Sequence, residues 1–454
     1  MRKQMITASA ASTGRAARHK ELSMSYQDPF RQTAALDEVL LDVAVLIELS
    51  PRDRRIAENR YRLLKTHLER DKSPLAPYLV DGVSLIYSQG SIATSTTIVS
   101  GTEDDRFDVD AIIEIDVPAD WDNSRALDLL EDALQGFPGI VAIVRCTRCV
   151  QLQFAFMHMD VTVMDRRARI AIPRAGEIFH SPDEGDAYRV DSNPWGFTAW
   201  FRSTVGIGQT AFAESLGRHR AAAARSRLQF IDEQERLVVM KADQLDLPPM
   251  IPSAIDAQEA VALKLLKRFL NLRYENLTIN RPPSIYLTKR AGDVGFIPLG
   301  VSAQLFALAD STAKIMRAHI ESGTRPQEEN PSYPADRIND RWPRAGRDGI
   351  ADMRTLAEQL EYLAERLEAM AVAPLADIAK AIDDLFGERI GQEQRAVLAA
   401  RHDRRTSATP ILSAARSGAI QAPAVVVSPE RYCEVPRHNF HPFVLDGEDG
   451  EDDE

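Results

Sequence analysis

A chain of 454 residues, 44% hydrophobic and 27% charged, carries enough apolar material for two lobes with real cores and has the mixture of a soluble globular protein. No run approaches the ~20 consecutive apolar residues of a membrane helix, so no membrane partner is expected and the cytoplasm is the expected compartment. The net charge is -12, but seven acids crowd into Asp446 to Glu454, and the mildly acidic body that remains disfavours a nucleic-acid template laid along a basic surface.

Met1 to about Met24 is basic, Ala/Ser-rich and nearly acid-free, and reads as a disordered arm or transit-like segment, unless translation starts naturally at Met24. Two helices follow, from about Leu36 to Glu48 and from Pro51 to Arg70, the second with a proline suited to a first turn. Strand-forming runs between Ser84 and Ile172 supply a sheet, interrupted by a helix near Asn123 to Leu134. After Pro194 the pattern is almost wholly helical, with clear periodicity in Ala257 to Tyr274, Pro298 to Ile320, Ile350 to Ala371 and Ile378 to Leu398. Gly323 to Arg347, rich in Pro, Asn and charge, reads as a loop over the site mouth or a surface excursion. From Thr406 on, Pro and small residues precede the acids, and a mobile tail is expected. The expected fold class is mixed α/β, an α+β lobe with a mixed sheet joined to a helical lobe: arm 1–24, catalytic core 25–195, helical domain 196–405, acidic tail 406–454.

The chemistry is concentrated in the sheet. Ser84-Leu-Ile-Tyr-Ser-Gln-Gly90-Ser91 reads as a strand entering a tight turn, and Phe107-Asp108-Val109-Asp110-Ala-Ile-Ile as a second strand. The two-residue period of a strand sends Asp108 and Asp110 to one face and Val109, Ala111 and Ile113 to the other. Adjacent carboxylates repel each other, so a divalent cation between them is the better explanation of such a strand, and Mg²⁺ takes carboxylate and phosphate oxygens together. A glycine at position 90 lets backbone approach a triphosphate, while backbone N–H groups and the Ser91 hydroxyl can donate to it. An in-line displacement clamped at both oxygens wants two metal ions and a third acid. Asp160, in the β-rich run Met157-His-Met-Asp160-Val-Thr-Val-Met164, is the choice. Taken alone, an Asp-x-Asp at a strand end is usually a solvated edge; the Gly-Ser turn upstream and the strand-borne Asp downstream make it a site.

The order Gly-Ser, Asp-x-Asp, distant Asp resembles the DNA polymerase beta-type nucleotidyltransferase superfamily. More narrowly, the chain is similar to the CD-NTases, the bacterial relatives of cyclic GMP-AMP synthase in CBASS antiphage defence. Four further segments carry that resemblance: Gly90-Ser91 with Thr96 five residues after the serine; Asn193-Pro194-Trp195-Gly196-Phe197 followed by Trp200-Phe201; the lysine-bearing run Ala262-Leu-Lys264-Leu-Leu-Lys267-Arg268; and Arg281-Pro-Pro-Ser284, opening the next helix. The resemblance spans roughly positions 35 to 400. It departs at Ser95, where many relatives carry a second glycine.

The resemblance implies that Gly90 and Ser91 hold the triphosphate, that Asp108, Asp110 and Asp160 hold two Mg²⁺, and that Lys267 neutralises the β- and γ-phosphates with Ser284 as a neighbouring donor. Lys264, one turn earlier on the same helix face, is a further candidate; the plainer reading of both lysines is a solvated surface face. The implied activity is transfer of a nucleotide from a nucleoside triphosphate to a ribose hydroxyl, closing into a cyclic oligonucleotide second messenger, with effector or regulatory proteins of a defence operon as partners. Two rivals are a linear transferase acting on RNA, a small molecule or a protein, and an inactive scaffold, which the three retained acids count against.

Three cysteines argue against a disulfide framework and suit a reducing cytoplasm. Cys146 and Cys149 with Cys433, His438 and His441 offer a zinc set, although a three-residue offset along one strand sends side chains to opposite faces. The basic stretch from Arg218 to Arg227 offers a phosphate or ligand surface, against the plainer reading of a solvated helix face.

Overall fold

Seven strands between residues 85 and 192 form a mixed sheet in a computed structural model that describes residues 29–30, 33–79, 85–100, 106–166, 171–228, 255–407, 412–413 and 420–421. The predicted arm, Cys433, His438, His441 and the acidic end lie outside those residues. The chain divides into two compact units, up to Arg395 and from Ala396 onward. In the second, the described residues are the end of a helix and a ribbon pairing Leu412–Ser413 with Ile420–Gln421. Everything below concerns the first.

The sheet runs β1 (Leu85–Gln89), β2 (Phe107–Ile115), β5 (Met157–Asp165), β4 (Val150–Gln153), β3 (Ala142–Arg145), while β6 (Gly176–His180) pairs with the second half of β5 and carries β7 (Tyr188–Ser192). β2 and β5 are parallel and the other pairings are antiparallel. One face is apolar: Val109, Ala111, Ile113, Val150, Leu152, Met159, Val161 and Val163 are fully buried against Tyr61 and Leu64 of α2 (Pro51–Leu68) and Leu127 and Leu130 of α4 (Arg125–Leu134). Each such aliphatic contributes about 1.5–3 kcal/mol, so this face fixes the register, and through it the placement of every even-numbered side chain of β2 and β5. α2 starts as expected: Pro51 occupies the first turn and the Ser50 hydroxyl accepts from Asp53 N–H at 3.1 Å.

The helical part comprises α1 (Ala34–Leu46), the four-residue α3 (Gly90–Ala93) set into the sheet, α5 (Pro194–Thr204), α6 (Thr210–Leu228), α7 (Gln258–Tyr274), α8 (Ser284–Val294), α9 (Val301–Ser322), α10 (Gly346–Ala371), α11 (Leu375–Phe386) and α12 (Glu388–Ser407). α7 is its axis, buried continuously from Gln258 to Leu270. None of the described helices is long and apolar enough to cross a membrane.

Four expectations need correction. The helix expected over Ile378 to Leu398 is two helices, broken at Gly387, whose φ of +94° lies where only glycine is at ease; periodicity continued across the break because both helices bury one face. Gly323 to Arg347 contains a ribbon, β8 (Glu329–Asn330) with β9 (Tyr333–Arg337), fastened to the β7–α5 junction: Asn193 N–H donates to Asp336 at 2.8 Å, and Asn330 Nδ2 donates to Asn193 O at 2.8 Å. Cys146 and Cys149 do not lie along one strand. They flank the two-residue turn between β3 and β4, paired through Cys146 N–H to Cys149 O at 2.8 Å, so their thiols share a face and hydrogen-bond each other. The basic stretch of α6 is no open phosphate surface at its start: Arg220 is held by Glu48 and Asp256 at 2.8 Å, and His219 by Asp42 at 2.6 Å.

Candidate active site

The parallel register of β2 and β5 sets Asp108 beside His158 and Asp110 directly beside Asp160. All three acids therefore stand on the sheet face opposite the apolar core, at one end of it. Asp110 is desolvated by the surrounding protein and faces Asp160 and then Asp108, which together push its carboxyl up to about 8. Burial raises Asp160 as well, with Asp108 adding to it, against hydrogen bonds that favour the ionised form: Gln151 Nε2 donates at 2.9 Å from β4, and the Cys149 thiol donates beside it. Gln153 in turn donates to Gln151 Oε1 at 2.9 Å, fixing the amide that orients Asp160. Asp108 is the outermost acid, its side chain 66% exposed, 3.6 Å from His158 Nδ1; Arg106 meets the other ring nitrogen at 3.0 Å.

Gly90 is required here twice over. Its φ is +63°, and a Cβ at that position would lie 2.1 Å from Asp110 Oδ2. The turn thus brings its backbone against the most strongly perturbed carboxylate. Ser91 Oγ lies 3.1 Å from Thr97 Oγ1, and Thr94 and Thr96 share a hydroxyl contact at 2.9 Å. Ser95 adopts φ +56°, the left-handed backbone that a glycine would take with least strain.

Of the two lysines on α7, only Lys267 reaches the turn. Its Nζ donates to Thr96 Oγ1 at 2.9 Å and has no carboxylate partner among the described residues. Burial drives its pKa down to about 7; Asp110 works against that shift, while Arg281 and Lys264 add to it. Lys264 is diverted. Its Nζ lies 2.7 Å from Glu48, which also accepts from Arg220, and the two cations hold that carboxyl at about 2 in spite of its burial. Neither lysine is on a solvated face, contrary to the plainer reading of the helix. Ser284 lies exposed in the first turn of α8, which packs against both the Gly90 turn and α7.

Sequence reasoning passed over Gln151, His158 and Arg281. Arg281 donates to Asn271 Oδ1 and lies close enough to feel the charge of Asp108 and to act on Lys267. The polar alternation of Gln151 and Gln153 in a buried strand was the one legible signal; Arg281 was read only as the residue before Pro-Pro. The Asn-Pro-x-Gly element, by contrast, is consumed by the fold. Asn193 caps α5 by accepting from Gly196 N–H at 2.8 Å, and a Cβ at Gly196 would lie 2.6 Å from Asn193 Nδ2 and 2.9 Å from Ser332 Cβ.

Asp110 and Asp160, raised by burial and by neighbouring carboxylate charge, with Asp108 on the same face, fit a hard cation that would relieve the repulsion. Among the described residues no three His, Cys, Asp or Glu side chains enclose a metal by themselves, so phosphate oxygens and water would have to complete the coordination. That suits magnesium, which retains water and shares substrate oxygens.

No family model matches the chain. Over 369 residues, 80% of this chain and 82% of the relative, it is 32% identical to the cyclic dinucleotide synthase CdnG of Bradyrhizobium diazoefficiens. The solved structure of that CD-NTase in complex with GTP matches with a TM-score of 0.63 at 31% identity, over 81% of this chain and 99% of that one. A structure of Escherichia coli MS115-1 CdnC with ATP matches at 0.49 and 14% identity, over 78% and 98% of the two chains. With most of both lengths matched to CdnG and the acids, turn and lysine placed as described, the chain belongs to the CD-NTase family of cyclic dinucleotide synthases.

Proposed function

We propose that this nucleotidyltransferase depends on two Mg²⁺ and joins nucleoside triphosphates into a cyclic oligonucleotide that serves as a second messenger in antiphage defence. The observation that carries the reading is the side-by-side placement of Asp110 and Asp160, with Asp108 on the same face, against the Gly90 turn and the buried, uncompensated Lys267. GTP, bound in the related CdnG structure, is one candidate substrate.

Asp108, Asp110 and Asp160 would hold the metal ions, which when bound supply a lowered pKa at the attacking hydroxyl and charge neutralisation at the phosphates. The Gly90-Ser91 turn and Lys267 take the triphosphate, with Ser284 and Arg281 as further donors. Binding a polyanion restores the full charge of Lys267, because the anion offsets what burial costs it. Gln151 keeps Asp160 aimed along the sheet face. A ribose hydroxyl of a second nucleotide then forms a bond to the α-phosphorus as the bond to pyrophosphate breaks, and repetition of the step closes the ring. The share of the protein in this chemistry is positioning and neutralisation.

The two adjacent, unbonded thiols suit the reducing cytoplasm we take as its compartment. An effector that senses the product is the downstream partner implied by the family. The decisive experiment is incubation with the four nucleoside triphosphates and Mg²⁺ and no other acceptor, followed by phosphatase and mass spectrometry. A phosphatase-resistant cyclic product supports the reading; turnover only on addition of an RNA, small-molecule or protein acceptor would replace it with the linear transferase.

A further inference from the structure

Cys146 and Cys149 take no part in the transfer chemistry described above, yet the fold sets them against it. The register of β3 on β4 pairs Arg145 with Val150 and so continues to Cys146 opposite Cys149, where Cys146 N–H donates to Cys149 O at 2.8 Å. Residues directly opposite in an antiparallel ladder share a face. Here it is the face of Gln151 and, one strand over, of Asp160, because Val150 and Leu152 point into the core. The two thiols hydrogen-bond each other, and that of Cys149 also reaches Asp160.

The backbone around them is set at disulfide spacing and held there. A hydrogen-bonded antiparallel pair places its Cα atoms about 5.5 Å apart, within the roughly 4.4–6.8 Å that a disulfide spans. The turn between them is pinned from two sides: Ser181 N–H donates to Thr147 O at 2.8 Å, and Arg148 forks onto both oxygens of Asp340. Bond formation therefore asks mainly for side-chain rotation. Neither thiol belongs to a core cluster, and both are half-buried rather than sealed, so a small oxidant reaches them.

We infer that Cys146 and Cys149 are a reversible oxidation site, closing to a disulfide that turns the catalytic strands off. The oxidant it fits is a low-molecular-weight disulfide such as oxidised glutathione. The Cys146 sulfur displaces one half of that reagent as a thiol, and the Cys149 sulfur then displaces the other half from Cys146. One S–S bond breaks and one forms, and the two cysteine hydrogens leave on the released thiols. Closure removes the S–H that Cys149 offers Asp160 and draws its sulfur toward Cys146, two residues from the Gln151 that aims the same carboxylate. The loss of turnover rests on the role proposed above for Asp160; formation of the bond does not.

The test uses the full-length chain carrying Cys433→Ser, so that only this pair can close within one molecule. It is equilibrated in glutathione buffers from reduced to oxidised and read by peptide mass mapping and by pyrophosphate release. A crosslink between Cys146 and Cys149 appears as the buffer is oxidised. Pyrophosphate release falls about tenfold with the same midpoint, the scale of one hydrogen bond to a charged group, and a thiol reductant restores it. Cys146→Ser in the same background keeps its release within about twofold in every buffer. A crosslink that fails to form, glutathione left on Cys146 in its place, a crosslinked chain of unaltered turnover, or an equal loss in Cys146→Ser overturns the switch. A reduced chain that releases no pyrophosphate sinks the transferase reading instead, and the mass map still decides whether the site oxidises.

Discussion

Lys264 and Lys267 lie one turn apart on α7 and are almost equally buried, at 4% and 5% exposure, yet their surroundings differ in kind. Lys264 sits in a closed charge cluster: Glu48 meets it at 2.7 Å and also takes Arg220, which is shared with Asp256. Lys267 has a threonine hydroxyl and a distant pull from Asp110. A buried cation matched by a carboxylate is a strut, because removing either partner strands the other in low dielectric. One met only by neutral oxygens has been left incomplete, and the missing anion is what a triphosphate would bring. Asp110 is its acidic counterpart, desolvated and crowded by like charge until a cation arrives.

Five measurements would break or sharpen that contrast. The largest effect is expected from Asp110→Asn combined with Asp160→Asn: pyrophosphate release from nucleoside triphosphates falls by at least about 10³-fold, on the scale of losing preorganised charge stabilisation. The same Asp110→Asn change should stabilise the metal-free protein at pH 8.5. Its carboxyl holds a proton to about 8 when folded, against about 3.9 for an unperturbed aspartate, so between those values the folded state binds more protons and stability falls as pH rises. A Tm unchanged by the substitution at that pH would mean that Asp110 is not the strained group described above.

Next, Lys267→Met and Lys264→Met should separate function from stability. Lys267→Met weakens triphosphate binding by about 10–100-fold, the worth of one or two charge-assisted hydrogen bonds, and leaves urea denaturation little changed. Lys264→Met costs about 3 kcal/mol of stability, because Glu48 loses a partner while buried, and leaves the KM of the surviving folded fraction within about threefold. Equal effects in both variants would erase the distinction.

A smaller, graded effect is expected with pH. Mg²⁺ must displace the proton of Asp110, so below pH 8 its apparent affinity should rise with pH, by up to about tenfold per unit, and then level. Calorimetry in buffers of differing ionisation enthalpy would show about one proton released near pH 7; none released would contradict the raised carboxyl. The smallest effect belongs to Cys146→Ser. The thiols pair with each other, and no cluster able to hold a metal exists among the described residues, so turnover should stay within about twofold. Stoichiometric zinc in the purified chain would overturn that.

Much of the architecture was legible because short-range physics writes it into the sequence. Alternation in Phe107 to Ile115 announced a strand with two carboxylates on one face, and the structure has β2 over those residues. Pro51 suited the first turn of a helix, and α2 begins there. Periodicity failed at Gly387, where two helices share one buried face, and at Cys146 and Cys149, where a two-residue turn has no strong sequence signature and reverses the chain between two residues that looked collinear. The ribbon inside Gly323 to Arg347 escaped notice because its stability comes from Asn193 and Asp191, more than 130 residues away, and from few apolar residues of its own.

By itself the sequence determined which residue types were present and how they faced along each strand and helix, since side-chain direction follows from a repeat of two or 3.6 residues. Only the tertiary structure decided which of two equivalent lysines is committed to Glu48 and which faces the Gly90 turn, and that a glutamine aims Asp160. Those outcomes depend on elements brought together from distant parts of the chain. Charge and burial act through space, and local patterning carries no record of what a side chain will meet there.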